Sequence, residues 1–337
     1  MTNGRPRIAQ ITPAAAIAGG ELEIRGSGFG KDQRPRVTLG DVEAHVLVGS
    51  DSFVVARVPE GAAGGELVVT RGDQASQAAA CEIGLSIATN VHPVTNPAVD
   101  AEGNIYTTLS GSRGQKTPVS VYHIDTNYQV KPFLSDVMNA TGLALDRDGL
   151  LYVSSRYDGV IYQVTARGAM SVYAEGMGIA TGLAFDSEEN LYVGDRSGTI
   201  FKISRNRQIY VFATLEPSIS AYHLAFGPDD YLYVTGPTTS SFDSVYRISP
   251  AGEVEIFYRG LGRPQGLAFD AEGRLYVAAS LGGRKGIVRL AAGSPPELFL
   301  SGPQIVGLAF MPSRALAVAT NAGLYRVDVG IAGRPLL

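Results

Sequence analysis

The chain has 337 residues, 45% of them apolar and 18% charged, with 41 glycines, one cysteine (Cys81) and no tryptophan. That length suits two domains, the glycine-rich, charge-poor balance fits a turn-rich β protein, and a lone cysteine excludes an internal disulfide framework. A formal charge of −4 and a pI near 5.6 argue against a general nucleic-acid binder, because phosphate contact needs clustered Lys and Arg.

In chain order, residues 6–84 come first. They run PRIAQITPAAAIAGGELEIRGSGFG and later VTLGDVEAHVLVGSDSFVVARVPEGAAGGELVVTRG, short alternating strands broken by Gly, Pro and Asp every 8–12 residues. This pattern predicts a small β-sandwich over residues 1–84. Ile11-Thr12-Pro13, Gly19-Gly20, Gly26-Ser27-Gly28-Phe29, Leu39-Gly40, Ser50-Asp51 and Val58-Pro59 together resemble an immunoglobulin-like IPT/TIG domain. The resemblance implies a DNA-contacting, protein-contacting or spacer module. The glycines from Gly26 to Gly30 do not form a phosphate loop, since no helix follows them and their spacing is wrong.

From Val94 onward one phrase recurs six times, beginning at Val94, Ala140, Ala180, Ala221, Pro264 and Ile305: a polar or small residue, a Gly-Leu-Ala-Phe-Asp-like strand, a Gly/Asp turn and a Leu-Tyr-Val strand. The residue before each Gly-Leu-Ala is Thr95, Thr141, Thr181, Tyr222, Gln265 or Val306, with separations of 46, 40, 41, 43 and 41. Such a period predicts four short strands per repeat and an all-β, six-bladed β-propeller over residues 85–337. Gly84–Ala88 has the spacing of an outer strand without a repeat of its own, so it is predicted to close the ring against the last repeat. These repeats resemble the NHL and SMP-30/gluconolactonase group of propellers. That group contains calcium- or zinc-dependent lactonases, lyases and binding scaffolds, so the resemblance implies a fold without choosing a chemistry.

In the metal-dependent lactonases of the group, Glu, Asn and Asp at the entrance to the inner strands converge on one cation. The matching positions here carry three threonines, a tyrosine, a glutamine and a valine, with Asn96 one step off register. Neutral hydroxyls and one amide serve a hard divalent cation poorly, so no metal and no cofactor is expected. Of the histidines, His223 stands out because it replaces the glycine found at this position in four other repeats. No nucleophile elbow is present, and no catalytic residue is assigned. The candidate ligand-binding residues are Tyr222, His223, Gln265, Arg156 and Arg196, expected to line one polar pocket, with Thr141, Thr181 and Asn96 around it.

The six turns between first and second strands carry eleven acidic residues against three arginines, while the loops between second and third strands carry six basic residues against three acidic ones. The propeller is therefore expected to be polarised, with a mouth that attracts anions. The functional expectation is a binding or scaffolding protein that recruits a protein partner or a small anionic ligand. The alternative is a hydrolase or lyase acting on a lactone or similar small molecule. Neither nucleic-acid binding nor membrane insertion is expected. With no leader in the sequence, the expected location is cytoplasmic, or secreted if a leader was removed.

Overall fold

A computed structural model describes residues 5–30, 33–62 and 64–334, and every regular element among them is a β-strand. In the N-terminal part the alternation of buried and exposed residues folds into a sandwich. Arg7–Thr12, Glu21–Ser27, Phe53–Arg57 and Val42–Gly49 pair in that order, and Arg36–Leu39, Gly65–Arg71 and Ala79–Ile83 continue the path. Leu22, Ile24, Phe29, Val37, Leu39, Val54, Leu67 and Val69 fill the space between them, each at most 2% exposed.

Each later repeat builds an antiparallel four-stranded sheet, as in the third, where Ala180–Phe185, Leu191–Asp195, Thr199–Ile203 and Ile209–Thr214 pair in chain order. The Leu-Tyr-Val tyrosine explains why the phrase recurs. Its ring meets the inner-strand phenylalanine of the following repeat edge to face: Tyr152 on Phe185, Tyr192 on Phe226, Tyr233 on Phe269 and Tyr276 on Phe310, with centroids 4.8–5.2 Å apart. A second aromatic from its own outer strand, such as Phe212 for Tyr192, packs on the other side. Each such pair contributes about 0.5–1.5 kcal/mol beyond burial. The tyrosine hydroxyl donates to the turn aspartate of its own repeat, Asp146, Asp186, Asp229 or Asp270. At three of these turns the same aspartate also accepts two backbone N–H groups, as Asp186 does from Glu188 and Asn190. The acidic turns are thereby Asx-type hairpin turns.

The expectation of a six-bladed propeller is corrected in its blade count: five blades stand as sheets of their own. Five four-stranded sheets stand alone, whereas the fifth repeat, with strands Leu267–Phe269, Leu275–Leu281, Arg284–Leu290 and Glu297–Ser301, belongs to a 13-stranded sheet shared with the sandwich. The splice is the two-residue strand Ala15–Ala16, which pairs in parallel with Leu300–Ser301 on one side and Glu82–Ile83 on the other. Ile17 N–H donates to Ser301 O (2.9 Å), and Arg284 pairs with Glu23 (3.1 Å) while donating to Thr12 O (2.9 Å). An outer strand is an open edge, and here the sandwich covers it. Small side chains are what the close approach of two domains requires: an added Cβ at Gly20 would lie under 3.0 Å from Ser301 O.

The ring closes with Leu85–Thr89 on the outer edge of Ile305–Phe310, Leu316–Thr320 and Gly323–Val327. Ile87 and Ala88 bury into the core of that sheet. A chain beginning at Asn90 should therefore melt roughly 10 °C or more below one beginning at Cys81. Equal melting temperatures by calorimetry would refute a role for this strand in closure.

Candidate functional site

The glycine of each Gly-Leu-Ala phrase lies where neighbouring inner strands come closest. An added Cβ at Gly142, Gly182, Gly266 or Gly307 would fall under 3.0 Å from the backbone carbonyl of Thr181, Tyr222, Val306 or Thr95 in the next repeat. The residues just before these glycines are consequently drawn into the wall. Thr95, Thr141 and Thr181 are 5%, 1% and 2% exposed, and their hydroxyls donate to Thr141 O (2.6 Å), Asn139 O (2.9 Å) and Gly194 O (2.7 Å). Thr181 also accepts from Tyr222 N–H (3.1 Å). Asn96 takes the glycine position in the first repeat, donating to Leu267 O (2.9 Å) and accepting from Leu308 N–H (3.1 Å), so it ties the first repeat to the fifth and sixth. With their oxygens engaged in this way, Thr95, Thr141, Thr181 and Asn96 do not fit the cation that the metal-dependent propellers hold there. Among the described residues no three His, Cys, Asp or Glu side chains are grouped to share one.

The expectation that Tyr222, His223, Gln265, Arg156 and Arg196 share a pocket is also corrected. Tyr222 is 2% exposed, with its hydroxyl on Glu216 O. His223 is likewise 2% exposed, and its backbone is pressed against the neighbouring inner strand, its Cα lying 3.1 Å from where a Gly182 Cβ would be. Neither imidazole nitrogen has a partner, and burial pushes its pKa down to about 3, so the ring is neutral. Arg156 donates to Gly111 O (2.7 Å), and Arg196 to Ser218 O (3.1 Å) and Ile219 O (2.9 Å), both on the rim of the second and third repeats. Gln265 lies elsewhere, between the fifth and sixth repeats.

There the mouth face opens a cavity of about 260 Å³, whose polar lining includes Arg263, Gln265, Ser280, Lys285, Gln304 and Asn321 over a floor of Ala279, Ile305 and Val306. No carboxylate lines it. Among the described residues Arg263 and Lys285 make no ion pair, and the amides of Gln265, Gln304 and Asn321 make no side-chain hydrogen bond. Arg263 and Gln304 hold φ values of 47° and 57°, a region that non-glycine residues seldom adopt and that clusters at functional sites. Two cations and three free amides around a small cavity present a surplus of N–H donors, the complement of an oxyanion. Sequence reasoning found Gln265 and counted Lys285 among the loop cations, but missed Arg263, Gln304 and Asn321. Asn321 occupies the position of Arg156 and Arg196: in all three the N–H after the second strand bonds to a carbonyl just before the inner strand. That equivalence was the available signal.

The axial cavity on the opposite, turn face measures about 240 Å³ and is lined mainly by inner-strand Leu, Ala and Phe residues. Residues 331–334 run across it, and Arg334 reaches in to donate to Phe226 O (3.1 Å). It offers much less polar chemistry than the mouth pocket.

Residues 6–83 match the IPT/TIG domain family. No curated protein matches the chain. Among solved structures, a protein provisionally described as a gluconolactonase is 16% identical with a TM-score of 0.61, over 75% of this chain and 94% of its own. An auxiliary nutrient binding protein from Bacteroides ovatus is 13% identical with a TM-score of 0.56, over 98% of this chain and 99% of its own. A catalytically inactive virginiamycin B lyase from Staphylococcus aureus, solved with quinupristin, is 15% identical with a TM-score of 0.53, over 97% and 96%. At these identities the likeness establishes the fold, an IPT/TIG domain followed by a β-propeller, and no chemistry.

The His223 assignment has a measurable consequence. Its folded pKa of about 3 lies below the unfolded value, so the unfolded chain takes up the proton first. Stability is full above pH 6.5 and falls as pH drops, by about 2 kcal/mol at pH 5 from this group. His223→Gln should lose about 2 kcal/mol less than the parent between pH 7 and 5 in urea titrations. Identical losses would show that the histidine is solvated.

Proposed function

We propose that this protein is a binding module whose propeller mouth holds a small oxyanion-bearing ligand in the pocket between the fifth and sixth repeats. The observation that carries this reading is a polar, carboxylate-free lining with two cations lacking ion pairs and three unengaged amides. Counting the repeat spliced to the sandwich, we read the ring as six-bladed and of the NHL/SMP-30 type. The nutrient binding proteins that share this fold over almost their whole length are compatible with a small-molecule ligand. A lactone hydrolase or lyase draws on fold likeness alone, and fold does not choose chemistry.

Isothermal titration with phosphate, citrate and glucuronate tests the pocket. At least one should bind saturably, and Lys285→Glu and Gln265→Ala should each weaken it roughly tenfold, as expected for loss of a charge-assisted or buried hydrogen bond. Binding that ignores both substitutions, or that requires added calcium or zinc, would overturn the proposal.

A further inference from the structure

The outer strand of a repeat is an open sheet edge unless something covers or charges it, and the repeats differ in what does. In the fifth, the sandwich strand Ala15–Ala16 pairs along it. In the first, Val130–Leu134 carries Lys131 and Pro132, and in the fourth, Val254–Leu261 carries Glu255 and Arg259. In the second, Arg207 of the third repeat lies over Tyr173, 4.9 Å from the ring centroid. The outer strand of the third repeat, Ile209–Thr214, has neither charge nor proline. Its Ile209, Tyr210 and Val211 are 43%, 49% and 66% exposed. Successive strand side chains point to opposite faces, so three in a row leave both faces of this stretch open to solvent. Beyond it the turn of the fourth repeat closes on Phe212 O at Gly252. Exposed apolar residues continue to either side, Met170 and Val172 on the second repeat and Val254 and Ile256 on the fourth.

The unpaired charges around this apolar band are balanced and ordered. Each outer strand runs from the turn face to the mouth face. In the second repeat Arg167 stands at the turn end and Glu175 at the mouth end, and in the third Arg207 and Glu216 stand likewise. In the fourth the signs are exchanged, with Glu253 at the turn end and Arg259 toward the mouth. All six are exposed, and none makes an ion pair among the described residues. Neighbouring charges are paired within the chain: Arg205 with Glu189, Lys202 with Asp186 and Arg247 with Glu255. Three cations against three carboxylates select neither an acidic nor a basic partner. Opposite signs at the two ends of each strand are instead what a two-fold rotation turns into attraction.

We infer that this band is the contact between two copies of the chain, related by a two-fold axis along the ring's circumference that sets the third-repeat outer strands antiparallel. Such a rotation exchanges turn and mouth ends while each repeat faces its own counterpart. Arg207 of one protomer then meets Glu216 of its partner, with Arg167 toward Glu175 and Glu253 toward Arg259 on the flanks. Every pair occurs twice, as an isologous contact requires. Opposite charges on facing strands favour pairing by about 0.2–1 kcal/mol each, whereas a parallel arrangement would set Arg207 against Arg207. Ile209, Tyr210 and Val211 supply the apolar contact between the charged ends. The two mouths point in opposite directions and both stay open, so this contact and the pocket between the fifth and sixth repeats can each fail without the other.

Sedimentation equilibrium of the full chain from about 1 to 100 μM should show a monomer–dimer equilibrium. Val211→Lys, a charge at an exposed edge position, should weaken the dimer about tenfold or more while the chain melts at the parent's temperature. Arg207→Glu and Glu216→Arg should each weaken it about fivefold or more, because each sets like charges together at two places. The two changes combined restore the pairing with its signs exchanged, and should bring the dissociation constant back to within about twofold of the parent. A monomer at every concentration, open-ended assembly past the dimer, indifference to Val211→Lys or to both single charge reversals, or a double exchange that recovers nothing would overturn the inference.

Discussion

The propeller depends on one contact repeated around the ring: a tyrosine held by the turn aspartate of its own repeat and wedged against the phenylalanine of the next. From Tyr152 to Phe310 this arrangement recurs at four junctions. It links turn geometry, strand register and packing between sheets, because the same aspartate orders the hairpin and orients the phenol. Burial and the adjacent carboxylate both push these phenols up, Tyr233 to about 12, so the hydroxyl stays protonated and keeps donating. The contact lapses on both sides of the first repeat: toward the second repeat Leu145 stands in the phenylalanine position, and the ends of the ring meet without it. The sixth repeat has Ala317 in place of the tyrosine and the first has Val99 in place of the phenylalanine, and both sit in one cluster with Ala315, Ala319 and Met311.

Strong junctions between sheets also decide where ligand chemistry can reside. The inner strands are pressed so closely that their entrance hydroxyls bond to neighbouring carbonyls and His223 is shut inside the wall. Solvent-accessible polar side chains without partners stand on the rim, in residues just outside the inner strands and on the loops after the second strands. The candidate pocket between the fifth and sixth repeats belongs to that outer layer.

Much of the architecture was legible in the sequence, because the repeat spacing and the Gly-Leu-Ala and Leu-Tyr-Val phrases fix strand and turn in each unit. The alternating residues before Ile83 likewise marked the sandwich. The splice through Ala15–Ala16 was not legible, since two small residues carry no periodicity and their pairing is set by a strand 285 positions away at Ala15↔Leu300. The site was only partly legible. Tyr222 and His223 drew notice by breaking the repeat, yet a departure from consensus does not distinguish a side chain facing a channel from one filling a wall. Gln265 was found by position. Arg263 and Gln304 matter through a left-handed backbone that residue identity does not announce. Arg156 and Arg196 were placed on the right face but directed toward loop carbonyls.

The order of strands in the closing sheet also bears on synthesis. Leu85–Thr89 emerges first, and its partner Gly323–Val327 only after all the intervening repeats. At ordinary translation rates that interval is roughly ten to fifty seconds. Throughout it the early strand has an unpaired edge, which is a hazard for misassociation. The sandwich, complete by then, ends in Ala79–Ile83 directly before it, so the waiting segment is tethered to a folded body instead of trailing from an unfolded one. The N-terminal domain can thus act as a holder for the end of a ring that the ribosome has not yet finished.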